Sequence, residues 1–330
     1  MTAAQPTPSP PTDAPVDVPA VRRPPAVRRP PAVRPLAVVG GVLAVLLLAY
    51  GVLQVLAWMF TRTTSATATL AATDVVELVA DGEVLVTVSA VDDVRVERVA
   101  RFAWDGPRYE VTSQGDRTVV RHECAQSWVP SCSGALDVTV PEGTHVVVRT
   151  VDGEVRVAGP AADVEVRAAD GDVHVSGARG DLDVRGRDGD VTAQGVRGGV
   201  AVELSDGDVR VTEAGGDVTV GSNDGAVVLA DVAGGADVRG SDGRIEVRDV
   251  GGALTVRNVD GDVLVAQVRG DVTARAVDGD VTVHGTGDPV ALEITSNGRQ
   301  RVEGATDPAA DVRVELRTFD GDVAYLGPEG

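Results

Sequence analysis

The commonest chemical group in this sequence is a pair of carboxylates on an Asp-Gly-Asp triplet. It occurs at Asp170/Asp172, Asp188/Asp190, Asp206/Asp208, Asp260/Asp262 and Asp278/Asp280. Paired carboxylates suit two chemistries, acid–base work on a glycosidic bond and calcium coordination. A catalytic pair is a local exception, yet these pairs recur along the chain. No Phe, Trp or Tyr falls between Trp128 and Phe319 to hold a sugar ring. A calcium-binding β-roll uses two nonapeptides of GGxGxDxUx type per coil, whereas the half-repeats here are 8 and 10 residues long. A polysaccharide-processing β-helix enzyme and a calcium-binding β-roll therefore stand as alternatives. The favoured expectation is a solvated turn in which Asp bonds its own backbone.

Other chemistry is thin. All 30 basic residues are Arg, so a P-loop lysine, a Schiff base and a Ser-Lys dyad are excluded. His122, His145, His174 and His284 are scattered, with no HExxH or nucleophile-elbow context. His174 and His284 fall on outward strand positions. Cys124 and Cys132 lack the further ligands a tetrahedral zinc site needs. Outside the cytoplasm a close pair reads as a disulfide. No catalytic, cofactor-binding or metal-binding residue is assigned, and no cofactor is expected.

The carboxylates sit on a strict frame. Asp-Gly dipeptides begin at Asp152, Asp170, Asp188, Asp206, Asp224, Asp242, Asp260 and Asp278, 18 residues apart each time. A second row, Gly180, Gly198, Gly216, Gly234, Gly252 and Gly270, keeps the same interval. Each row is followed by an apolar-x-apolar triplet, such as Val209/Val211 or Val218/Val220. Period-2 alternation puts both apolar residues on one face of a short strand, and both glycine rows read as turns where Gly supplies positive φ. Asp-Gly is also a hairpin signal, but a meander of such strands would leave one apolar face without a partner. A solenoid turns both apolar faces inward and stacks like on like. The expected fold is all-β, a β-solenoid (β-helix-like) of about 18-residue coils, preceded by one transmembrane helix and a disordered N-terminal tail. Arginines at the same interval (Arg149, Arg167, Arg185, Arg239, Arg257, Arg275) form a candidate neutralising row.

The flanks divide as follows. Residues 1–35 hold 11 of the 18 prolines and the repeated AVRRPP, and read as a disordered Pro/Arg-rich cytoplasmic tail. Residues 36–60 are 25 residues without a charge, long enough to span a bilayer and too long for a signal-peptide core. Five arginines before them place the N-terminus in the cytoplasm and residues 61–330 outside. Residues 61–74 read as a linker. Residues 75–148, with Phe102, Trp104, Tyr109 and Trp128, read as a β-rich N-terminal cap and opening coils, and 149–330 as the solenoid with a C-terminal cap. Register is expected to slip after 295, where Asn297-Gly298 arrives 19 residues after Asp278-Gly279. The tail carries five arginines against two acids; the rest carries 25 against 48, a net charge of −23. A surface that acidic disfavours nucleic acid.

At LDVTVPEGTHVVVRTVDGEVRV (136–157), followed by GDVHVSGARGDLDVRGRDGDVT, the chain resembles the bacterial candidate-adhesin family of β-strand-repeat, toast-rack-type domains. The resemblance covers about 135–325. It implies a domain tethered by one membrane helix, with envelope-stress or cell-surface roles and no established catalytic residues. The resulting expectation is a single-pass bacterial membrane protein whose extracytoplasmic solenoid is a non-enzymatic scaffold. Its partners would be the lipid bilayer, through residues 36–60, and a protein or cell-envelope component on the solenoid surface.

Overall fold

The structure, a computed structural model, describes residues 33–103, 105–124 and 132–328. The Pro/Arg-rich segment 1–32, Trp104 and Trp128 lie outside the described residues. The described residues divide into two compact units, one ending at Leu53 and one beginning at Gln54. Helix α1 runs Val33–Met59. Its segment Val39–Leu56 has a mean hydropathy of 2.3 with no residue buried, and is long and apolar enough to cross a membrane.

Residues beyond α1 form two long sheets, one of fourteen strands and one of thirteen. Each 18-residue repeat gives one strand to each sheet. In the thirteen-stranded sheet Val164 lies beside Leu182, then Val200, Val218, Ala236, Leu254 and Val272, all in parallel pairs. In the fourteen-stranded sheet Val155 is followed by Val173, Val191, Val209, Val227, Ile245, Val263 and Val281. Parallel pairing at this interval is the solenoid and excludes the meander. The apolar triplets of both sheets meet in one core, where Val209, Val211, Val218 and Val220 are each at most 1% exposed.

The two glycine rows serve different ends. Gly171 has φ 114° and the Asp-Gly glycines that follow it are also positive; a Cβ on Gly171 would also collide with the Gly153 carbonyl oxygen of the preceding coil. The second row does not have positive φ, contrary to expectation. Gly198 is needed because a Cβ there would run into Gly180 and Asp181 of the coil below. Positive φ at that corner falls instead three residues earlier, first on Gly159, Gly177 and Gly195 and then on Glu213, Asp231, Asp249 and Gln267 (φ 59°, 56°, 54° and 57°).

Both ends of the stack depart from chain order. At the N-terminal end the strands are β1 (Arg62–Ala71), β2 (Val75–Ala80), β3 (Val84–Ser89), β4 (Asp93–Phe102), β5 (Arg108–Gln114), β6 (Arg117–Glu123), β7 (Cys132–Pro141), β8 (His145–Thr150) and β9 (Val155–Ala158). The first coil, β2 and β3, lies between the later coil β6–β7 and the coil β8–β9. Beyond it the fourteen-stranded sheet continues antiparallel through β4 and β1, and the other sheet through β5. The segment 61–74 is thus mostly strand β1, fully paired to β4, rather than a linker. Its Thr/Ala alternation is a half-buried strand with small residues, which no apolar pattern announces.

The C-terminal end does the same. Strands Arg313–Arg317 and Val323–Leu326 pair with Val272–Arg275 and Val281–His284, taking the next place in the stack. Strands Ala291–Thr295 and Gln300–Val302 come earlier in sequence yet lie outside them. Register is therefore interrupted, not lost. Asp322 follows Asp280 by 42 residues, one 18-residue repeat plus a 24-residue insertion, and Asp320 bridges Asp278. Tyr325, 1% exposed, fills the core of this inserted coil, while Phe319 is 70% exposed.

Candidate interaction surfaces

Strand alternation leaves one outward side chain for each inward one, and 18-residue stacking turns each outward position into a row. On the thirteen-stranded sheet the row runs Arg149, Arg167, Arg185, Glu203, Gly221, Arg239, Arg257, Arg275, Arg317. Its arginines are paired with acids two positions earlier or one coil away. Arg167 meets Glu165 at 2.8 Å, Arg185 meets Asp183 at 2.8 Å, and Arg239 and Arg257 both reach Asp237. This is the neutralising row expected from the arginine spacing, and it serves the flat face of the sheet rather than the Asp-Gly corner. The equivalent row on the other sheet is mixed: Arg156, His174, Thr192, Arg210, Val228, Glu246, Leu264, Thr282.

Acids at the corners find a different partner. The second Asp of a triplet accepts a hydrogen bond from a backbone amide one coil on: Asp190 N–H to Asp172 at 3.0 Å, Asp208 N–H to Asp190 at 2.9 Å, Ala226 N–H to Asp208 at 2.8 Å. The opposite corner repeats the device, with Gly199 N–H to Asp181 at 2.7 Å and Gly235 N–H to Asp217 at 2.8 Å. These carboxylates bond the neighbouring coil, not their own backbone as expected. Stacking brings the next coil's free amide within reach, and a charge-assisted bond to it offsets the repulsion along the row.

The two end coils carry what the spacing could not show. Glu77 of β2 points outward yet is 6% exposed. Arg117, from the β6 side, and Arg149 of β8 cover it at 3.1 and 2.9 Å. At the other end Glu315 of the inserted strand takes Arg275 at 2.8 Å and Arg317 at 2.8 Å. The hydrogen bond from Arg275 holds its carboxyl below the usual range. β2 is thus gripped from both neighbouring strands through Glu77, and the Arg313–Arg317 strand through Glu315 to Arg275 on one side and Arg317 to Glu293 on the other. A glutamate on the outward face of an apolar strand was the only available signal.

Cys124 and Cys132 are joined by a disulfide with Cα atoms 5.9 Å apart. His122 is 2% exposed and its Nδ1 lies 3.1 Å from the Ala135 carbonyl oxygen; burial pushes its pKa down. His145 lies 3.8 Å from Asp163 and His174 lies 3.6 Å from Glu154, while His284 Nδ1 is 3.2 Å from the Gly327 carbonyl oxygen. The four are not brought together. Among the described residues no cluster of three or more metal-ligating side chains occurs. A hollow of about 940 Å³ lies over Arg108, Glu110, Arg117 and Arg121, on the outward side of β5 and β6.

The family model Toastrack DUF4097 matches residues 128–324. The chain belongs to this toastrack family. Its two stacked parallel sheets are the toastrack, and the unmatched N-terminal part adds α1 and strands β1 to β6. Similar solved structures include a candidate adhesin from Parabacteroides merdae, 10% identical, covering 80% of this chain and 96% of that one with a TM-score of 0.33. A candidate adhesin from Bacteroides fragilis is 12% identical over 80% and 97%, with a TM-score of 0.29. A candidate cell adhesion protein from Clostridium sporogenes is 7% identical over 81% and 100%, with a TM-score of 0.23. No curated protein matches the chain.

Proposed function

We propose that this toastrack chain is a membrane-anchored, extracytoplasmic interaction domain that binds a protein or cell-envelope partner through its charged rows and performs no catalysis. In this reading α1 spans the membrane, the arginines at 22–34 hold the N-terminus in the cytoplasm, and the solenoid stands outside, where a disulfide persists. The observation that carries it is the in-register row of arginines and acids on the thirteen-stranded sheet. Seven of its nine positions present a guanidinium to a partner, so weak contacts add along the stack. Exposed ion pairs contribute about 0–1 kcal/mol each, which makes coil number and ionic strength the controls. The adhesin assignments of the similar structures point the same way, and a link to envelope stress is part of the proposal.

The test uses cells carrying the full chain with 224–241, and then 224–259, deleted, which takes first Arg239 and then Arg257 as well out of the row. Both deletions remove whole coils and keep the register. Partner capture from envelope extracts should fall stepwise and weaken with added salt. Abolition by one deletion and indifference to the other would instead locate a single site. In the same cells, external protease should digest the repeats and spare a tag at residue 1; protected repeats would overturn the proposed orientation.

A further inference from the structure

Among the described residues, two sheets with four terminal strands leave four free edges, and the chain treats them unequally. Gln300–Val302 is three residues long and carries Arg301. Ala291–Thr295 is five long and carries Glu293. β5 is seven long, with Arg108 and Glu110. β1 is ten residues long and, after Arg62, holds only Thr, Ser, Ala and Leu: TTSATATLA. Short length and charge are the usual protections of a sheet edge against further pairing. Three edges have them and β1 has neither.

We infer that β1 is a self-association edge, pairing antiparallel with β1 of a second copy so that the two fourteen-stranded sheets become one. The choice of a second copy follows from charge. The chain beyond residue 35 carries −23, so most of its surface repels its own copies. The edge from Thr63 to Ala71, without a charge, is where two copies approach without that repulsion. An antiparallel pair centred on Thr67 is two-fold symmetric, the form homodimers use. It sets threonines and small residues across from one another, a favourable cross-strand match.

A second observation marks this end as unfinished. Behind β1 lies a cleft of about 530 Å³ lined by Ser65, Ala66, Phe102, Tyr109 and His122. The Tyr109 hydroxyl is buried there without a hydrogen-bond partner, under the Arg98 guanidinium 4.1 Å from its ring. Inward residues Ala66, Ala68 and Leu70 remain only half-buried. Continuing the sheet past β1 would shelter all of them.

The experiment takes the full-length chain in detergent and measures its mass by light scattering. The native chain should run at twice its 33.9 kDa. Thr67→Lys, an exposed position where the two copies would bring lysines side by side, should run at the single-chain mass. Thr112→Lys on β5 should leave the doubled mass unchanged. Should Thr67→Lys fail to fold, Thr67→Cys decides: mild oxidation should give a reducible cross-linked pair, and Thr112→Cys should not. A single-chain mass for the native protein, a doubled mass for folded Thr67→Lys, equal cross-linking from both cysteines, or a β1 cross-link only to a different protein would each overturn the inference. Loss of partner capture with the doubled mass retained would count against the interaction surface and leave this edge standing.

Discussion

The middle of the solenoid and its two ends are built on different rules. In the middle, coil follows coil in chain order, and each position meets its equivalent 18 residues away. Cohesion there is distributed among inward valines, amide-to-Asp bonds and ladder pairing, so no coil is special. At each end one strand pair lies out of chain order, between two coils that follow one another in sequence. There cohesion is specific, concentrated in Glu77 with its two arginines and Glu315 with its own. Translation alone builds a stack but cannot end one, because the last coil would offer the same faces as every other. Tucking an earlier or later coil inside the terminal one makes the ends unlike the middle.

Four measurements test that contrast, the largest effect first. Val209→Asp puts a charge between stacked coils without a partner and should cost several kcal/mol in denaturant unfolding. Arg210→Asp, one residue on and outward, should cost far less; equal costs would refute the assigned faces. Glu77→Ala comes next. It leaves two guanidinium groups without their shared acceptor and should cost roughly 1.5–3 kcal/mol. Amide exchange should rise in β2, β6 and β8. Asp183→Ala, in the middle, breaks only an exposed pair and should fall within about 0–1 kcal/mol. Similar values for both would mean that the ends carry no specific clamp.

The third measurement is acid titration. The Glu315 carboxyl is held below its usual value of 4.5 by the bond from Arg275. Its contribution is therefore complete above the unfolded value and is lost as pH falls through the folded one. Limited proteolysis at falling pH should release the C-terminal strands below about pH 4.5, and Glu315→Gln should remove that pH dependence. Unchanged acid sensitivity in the variant would place the cause elsewhere. The smallest effect is a gain. Asp231 holds a left-handed backbone, a conformation that costs a non-glycine residue roughly 1–2 kcal/mol. Asp231→Gly relieves it while adding unfolded-chain entropy, so a rise of up to about 1 kcal/mol is expected. A loss on thermal unfolding would show that the side chain there contributes more than the strain costs.

Much of the fold was legible from residues because the repeat is strict. Asp-Gly at every eighteenth position, with Val-x-Val after it, fixed the coil length, the inward faces and the parallel register. The arginine spacing gave the row on the thirteen-stranded sheet. Left-handed backbone at Glu213, Asp231, Asp249 and Gln267 was not legible, since glycine marks that corner only in the earlier coils at Gly159, Gly177 and Gly195. Nor was β1, whose TTSATATLA has the alternation of a strand without the hydrophobicity that usually reveals one.

The division between the two sources has a physical basis. Periodicity is a local property: a turn every 18 residues and alternation between turns are enough to specify a coil and to demand a like coil beside it. Sequence by itself therefore determined the all-β class, the coil, the core residues and the apolar helix. Which coil lies beside which, where the pattern lapses, is a matter of long-range closure. Asn297-Gly298 and Asp320-Gly321 both carry a turn signal, and only tertiary packing chose the second to follow Asp278-Gly279. The corner carboxylates were equally undecided. An Asp at a turn can bond its own amide or a neighbour's, and only stacking brings the next coil's amide to within 2.7–3.2 Å of it.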